Sequence, residues 1–138
     1  MSFKRVLVQS DAGIPQPLRA GDGWVANVNP VNNTTDAAVA LTVDNITGGL
    51  IQQGVTLTAA RTWTLPTAAA VLAAYPTMDI GDAFTFVVGN VQAAAFNITI
   101  AVGVGITAVG ANNSLVITPP NTKTFTLVKT SSTTMNLY

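Results

Sequence analysis

The chain offers little that can move a proton, attack a carbonyl or hold a metal. Six aspartates (Asp11, Asp22, Asp36, Asp44, Asp79, Asp82) face six basic residues (Lys4, Arg5, Arg19, Arg61, Lys123, Lys129), and Glu, His and Cys are absent. Without imidazole there is no base for a hydrolytic triad, and without thiolate or imidazole the zinc ligands reduce to Asp. Two carboxylates can in principle hydrolyse a glycosidic bond, and Asp79 and Asp82 are the closest pair in sequence. Met78-Asp79-Ile80-Gly81-Asp82 is read more simply as a turn leading into a strand, where Asp bonds its own backbone. Asp22, Asp36 and Asp44 are too dispersed for a calcium loop of the EF-hand kind. The glycines of 103–110 match neither the dinucleotide nor the P-loop spacing, and Lys129-Thr130 lacks the glycines that precede a Walker lysine. These absences predict a protein that is not an enzyme and has no catalytic residues, no cofactor and no metal.

Binding chemistry is then what remains. Trp24, Trp63, Tyr75 and Tyr138 carry flat faces able to cover a sugar ring. Trp63 alternates with Thr62 and Thr64, which aims it into a core, so Trp24 is the better interface anchor. Glycosylation sequons at Asn32, Asn33, Asn45, Asn97 and Asn112 are what an Asn- and Thr-rich chain generates by chance, and no signal peptide is visible in the first residues. The few Lys and Arg are scattered among Asp at zero net charge, so no basic patch for nucleic acid is expected.

Only 9% of the residues are charged, against about 25% in an average soluble domain. The most apolar stretch, 68–74, falls far short of the roughly 20 residues of a spanning helix, so no membrane insertion is expected. A neutral, weakly charged surface favours self-association. Its Thr, Asn, Ser and Gln hydrogen-bond across a contact without the desolvation cost of buried charge. The composition therefore predicts a building block of an assembly.

The elements that would carry such a surface are strands. Val and Thr dominate, and β-branched side chains favour pleated structure. Period-two alternation marks 55–58, 62–65 and 124–129, and more continuous runs mark 83–88 and 96–102. Turn-formers separate them: Gly48-Gly49, Gly81-Asp82, Gly89-Asn90, Gly103 and Gly105, Gly110 with Asn112-Asn113, and Pro119-Pro120-Asn121. The expected fold is all-β, an antiparallel β-sandwich or barrel of jelly-roll type. One short helix is expected near residues 67–75, capped by Thr67 and stopped before Pro76. No internal repeat of fixed period is visible. Residues 1–46 are turn-rich and read as an N-terminal arm or small strand-bearing lobe, with 47–138 as the β core domain. The arm's apolar residues Phe3, Val6, Leu7, Val8, Trp24 and Val25 need a covering surface, the main domain, a sister subunit or a larger surface, and are the candidate interface residues.

Leu57-Thr58-Ala59-Ala60-Arg61-Thr62-Trp63-Thr64-Leu65-Pro66, then Asp79 to Asn90, Ile98-Thr99-Ile100-Ala101 with Gly103 and Gly105, and Phe125 to Ser131 together resemble a module of surface proteins in tailed phages and other large DNA viruses. The opening Arg5-Val6-Leu7-Val8, with Pro17 to Asp22, is similar to the leader of phage fibre and decoration proteins. This resemblance implies a β-rich virion protein on the capsid surface, commonly a homotrimer. Its role would be to bind the major capsid protein of the assembled shell as decoration or cement, stabilising that state by mass action. The alternative it implies is a fibre-tip or receptor-binding module that recognises host glycans.

Overall fold

The computed structural model describes residues 8–9, 15–16, 30–93, 95–110 and 115–138. In chain order the elements are β1 (Val8–Gln9), β2 (Pro15–Gln16), β3 (Val31–Asn33), β4 (Val39–Ala40), α1 (Val43–Thr47), β5 (Leu50–Gln53), β6 (Arg61–Thr64), α2 (Ala68–Ala74), β7 (Ala83–Asn90), β8 (Ile98–Ala101), β9 (Ile106–Ala108), β10 (Val116–Ile117), β11 (Asn121–Lys129) and β12 (Met135–Leu137). Strands β1 and β2 form a two-stranded pair; the rest make a 6-stranded sheet, ordered β3-β5-β7-β11-β12-β9, and a 4-stranded sheet, ordered β10-β8-β6-β4.

The protein is β-rich, but its sheets are mixed rather than antiparallel as expected. Before its last crossing, from β9 to β10, the chain three times in succession lays a strand in the larger sheet and crosses to lay the next in the smaller one: β3 to β4, β5 to β6, β7 to β8. Because each return passes through the opposite sheet, successive strands within one sheet point the same way. Hence β3, β5 and β7 are parallel neighbours, as are β4, β6 and β8. The C-terminal part supplies the antiparallel pairings: β10 on β8, and β11 between β7 and β12. The last pairing, β12 with β9, is again parallel.

These three parallel turns are a structural repeat that the sequence conceals, since the inserts between strands differ in length. Matching positions stack. Val31, Ile51 and Val88 form one inward row of the larger sheet, and Val39, Trp63 and Ile100 one of the smaller. Residues 31–46, assigned from sequence to the arm or lobe, therefore share both sheets with the core, and Leu41 and Ile46 are buried in it.

One hydrophobic cluster joins the elements. Trp63, Phe86, Phe125, Ile98, Ile100 and Leu127 are fully buried within it, and the Phe86 and Phe125 rings stack with centroids 5.5 Å apart. Each buried aromatic removes roughly 150–250 Å² from water, which makes this cluster the main source of cohesion.

Both helices follow smaller-sheet strands in the chain, α1 after β4 and α2 after β6, and α1 packs against β5, β7 and α2. α2 follows the expectation: Thr67 accepts from Ala70 N–H, and Ala68 and Val71 are buried while Ala69 and Ala70 are exposed. It is therefore buried on one face only. α1 was not foreseen from sequence, though it carries a capping box in which Thr42 Oγ1 accepts from Asn45 N–H and Asn45 Oδ1 from Thr42 N–H. The expected strand at 55–58 does not form. Leu57 is buried from a loop, and Thr58 is drawn to Asp36 instead of a ladder partner.

Candidate functional site

Among the described residues, Asp36, Arg61, Asp82 and Lys129 serve local structure. Asp36, in the β3–β4 crossing, accepts from Arg61 Nε at 2.7 Å, Thr58 Oγ1 at 2.5 Å and Thr58 N–H at 3.1 Å. The Arg61 guanidinium, helped by the Thr58 bonds, holds the Asp36 carboxyl down to about 2 from an ordinary 3.8. Its partner's pKa is raised in return. Asp82 Oδ2 accepts from Asp79 N–H at 2.8 Å, the local backbone bond expected of this turn from sequence. Lys129 Nζ reaches the Met78 carbonyl at 2.5 Å. Among the described residues no group of three or more potential metal ligands converges.

Buried amides fasten the end where the chain crosses from the larger sheet to the smaller one. Asn33 and Gln53 are paired in register, and Gln53 and Asn90 follow the paired Gln52 and Gly89. Asn33 Nδ2 donates to Gln53 Oε1 at 3.0 Å, and Gln53 Nε2 donates to the Thr35 and Val55 carbonyls. Asn90 Nδ2 donates to the Phe96 and Ile117 carbonyls at 2.9 and 3.0 Å. Gln53 and Asn90 are the buried polar residues of the core, 0% and 1% exposed. Stacked amides of this kind recur where parallel strands repeat in register. An Asn or Gln ending each of the parallel strands β3, β5 and β7 was the available signal, but it is legible only once the strands are aligned.

The opposite end is held by backbone. Ala68 N–H donates to the Val104 carbonyl at 2.9 Å. A Cβ on Gly103 would overlap the Pro66 carbonyl, and Gly105 has φ +81° with Ala68 and Thr133 packed against it. Gly103 and Gly105 of the glycine-rich stretch are there for close packing, while Gly110 has open space about it and a positive φ of +94°.

The outward sheet faces differ from those of an ordinary soluble domain. Alternation of burial turns Thr122, Thr124, Thr126 and Val128 of β11, Thr85 and Val87 of β7, and Leu50 and Gln52 of β5 away from the core. On the smaller sheet Thr62, Thr64, Thr99, Ala101 and Val116 do the same. None is charged. The charged residues inside strands, Arg61, Lys123 and Lys129, occupy the inward register; Arg61 opens β6 and reaches Asp36, and Lys129 ends β11 and reaches the Met78 carbonyl. Ile80 and Val104 project from loops, 70% and 82% exposed, and Phe96 and Tyr138 show 40% and 49%.

Of the interface residues named from sequence, Phe3, Val6, Leu7, Trp24 and Val25 lie outside the described residues. Val8 belongs to β1, where it pairs with Gln16 of β2. No helix among the described residues is long and apolar enough to cross a membrane. Trp63 is wholly buried, as its alternation with Thr predicts, and its Nε1 has no hydrogen-bond partner among the described residues.

Comparison with known proteins returns no matching family model, curated protein or solved structure.

Proposed function

We propose that this chain is a structural virion protein, a capsid decoration or cement protein that works as a homotrimer on the surface of the assembled shell. In this reading its two sheets close on the shared core as a β-sandwich, and its partners are its own copies and the major capsid protein. The observation that carries the reading is the uncharged outward register of both sheets. A soluble domain keeps itself monomeric with surface charge of about 25–35%. This chain instead presents Thr, Ala, Val and Gln, side chains that desolvate at small cost and whose contacts are little weakened by salt. The resemblance in the stretches 57–66, 79–90, 98–105 and 125–131 supplies the virion setting.

The test is co-sedimentation with assembled capsids of the virus that encodes the chain, at low and high salt. Binding that persists in about 1 M salt and is lost on Thr64→Lys or Thr124→Lys supports the reading. No binding to assembled capsids overturns it.

A fibre-tip module recognising glycans is the second reading, favoured by the partly exposed rings of Phe96 and Tyr138. Selective retention on immobilised glycans, abolished by Phe96→Ala or Tyr138→Ala, would support it over the first.

A further inference from the structure

The outer face of the larger sheet carries no charge at its strand positions, and its apolar side chains gather in one place. β7 and β11 pair over eight residues, from Asn90 with Asn121 to Ala83 with Val128. Their outward positions register with those of β5: Leu50 lies beside Val87, and Val87 beside Thr124. One row further along, Gln52 and Thr122 flank Gly89. The Cβ that Gly89 lacks would meet Val91 Cγ1 at 3.2 Å, so Val91, 44% exposed, folds over that position next to Val87. Leu50, Val87 and Val91 thus form an aliphatic centre, ringed by the uncharged Gln52, Thr122 and Thr124. An apolar middle with a polar rim is the anatomy of a protein interface.

α1 and β10, which pack against these strands, lie on their inner side, since Ile46 of α1 and Ile117 of β10 belong to the core cluster. The dimensions of the outer side identify an occupant that fits. Strands lie about 4.8 Å apart within a sheet, so β5, β7, β11 and β12 make a face about 19 Å wide. Three such faces set around an axis along the strands place that axis about 5.5 Å from each sheet, close to half of the roughly 10 Å between packed sheets. Over the ~27 Å of paired β7 and β11 the three faces cover roughly 1,500 Å², within the 1,200–2,000 Å² that stable specific interfaces bury. A rotation of this kind closes on itself, and uncharged faces bring no like-charge repulsion to a contact between identical chains.

We infer that further copies of this chain occupy the face: three larger sheets turn their outer sides to a common threefold axis, with Leu50, Val87 and Val91 of each protomer at the centre. This rests on the homotrimer proposed above and adds which face its protomers share. The smaller sheet, with Thr62, Thr64 and Thr99 outward, then lies on the outside of the trimer and is the face left for the shell.

The experiment compares the full-length wild type with Thr124→Asp on the larger sheet and Thr64→Asp on the smaller, by light scattering coupled to size exclusion, with circular dichroism to establish that each variant is folded. Both threonines are exposed and outward. Carboxylates gathered around the axis repel one another, so the expected result is a fall from trimer to monomer mass for Thr124→Asp and an unchanged trimer for Thr64→Asp. Val91→Asp, in a loop outside the ladder, repeats the larger-sheet test should Thr124→Asp misfold. A folded larger-sheet variant that stays trimeric overturns the shared face and leaves the trimer standing. Dissociation by Thr64→Asp and not by the larger-sheet variants overturns it too. A wild-type monomer overturns the trimer and the shared face together.

Discussion

Asp36 Oδ1 accepts from Arg61 Nε at 2.7 Å, and that contact ties the β3–β4 crossing to the strand that follows the β5–β6 crossing. Both side chains are about a quarter exposed, 24% and 25%, so solvent screens the pair and its value lies in registering two connections between sheets. Because the Asp36 carboxyl is held at about 2 against an ordinary 3.8, its contribution is present above the ordinary value and is lost as pH falls through the held one. Denaturation midpoints of wild type and Asp36→Asn should differ by a constant amount above about pH 4 and converge toward pH 2. A gap that persists unchanged at pH 2 would show that the carboxylate charge is not the source.

Trp63 fills the centre of the smaller sheet's inward face between Val39 and Ile100. Trp63→Ala should cost about 3–5 kcal/mol in urea unfolding. Trp63→Phe should cost much less, because it also removes an indole N–H without a partner among the described residues, a burial worth about 1–3 kcal/mol. Equal losses in the two variants would contradict that account.

Asn90 satisfies two carbonyls, those of Phe96 and Ile117, from a buried position. Asn90→Leu keeps the number and branching of side-chain heavy atoms and orphans both acceptors, with an expected loss of about 1–3 kcal/mol. Thermal unfolding followed by circular dichroism measures it. An unchanged midpoint would mean that the amide is not holding the sheets.

Gly103 lies against the Pro66 carbonyl with no room for a methyl group. Gly103→Ala should destabilise by about 1–3 kcal/mol through overpacking. Gly81→Asn is the contrasting variant: nothing lies within contact of a Cβ there, and Asn tolerates the left-handed backbone that Gly81 adopts at φ +96°. Similar losses in both would point to backbone conformation and away from packing.

The β-rich character, α2 with its Thr67 cap and the inward Trp63 were legible because each depends on short-range pattern: β-branched content, alanine run, period-two alternation. Parallel pairing was not. Val31, Ile51 and Val88 stack across inserts of unequal length, and no fixed period betrays that to a linear scan. The strand expected at 55–58 failed for a related reason. Its alternation was real, but Asp36, far away in sequence, captures Thr58 in a loop. The amide column of Asn33, Gln53 and Asn90 likewise exists only in three dimensions. Scarcity of charge was legible as a number, whereas the confinement of charge among the described residues to loops, α1 and inward strand positions required the fold.

Light scattering coupled to size exclusion, across a wide range of protein concentration, tests the central claim most directly. An assembled, uncharged-faced building block predicts a trimer whose mass does not change on dilution. A monomer at every concentration would contradict it.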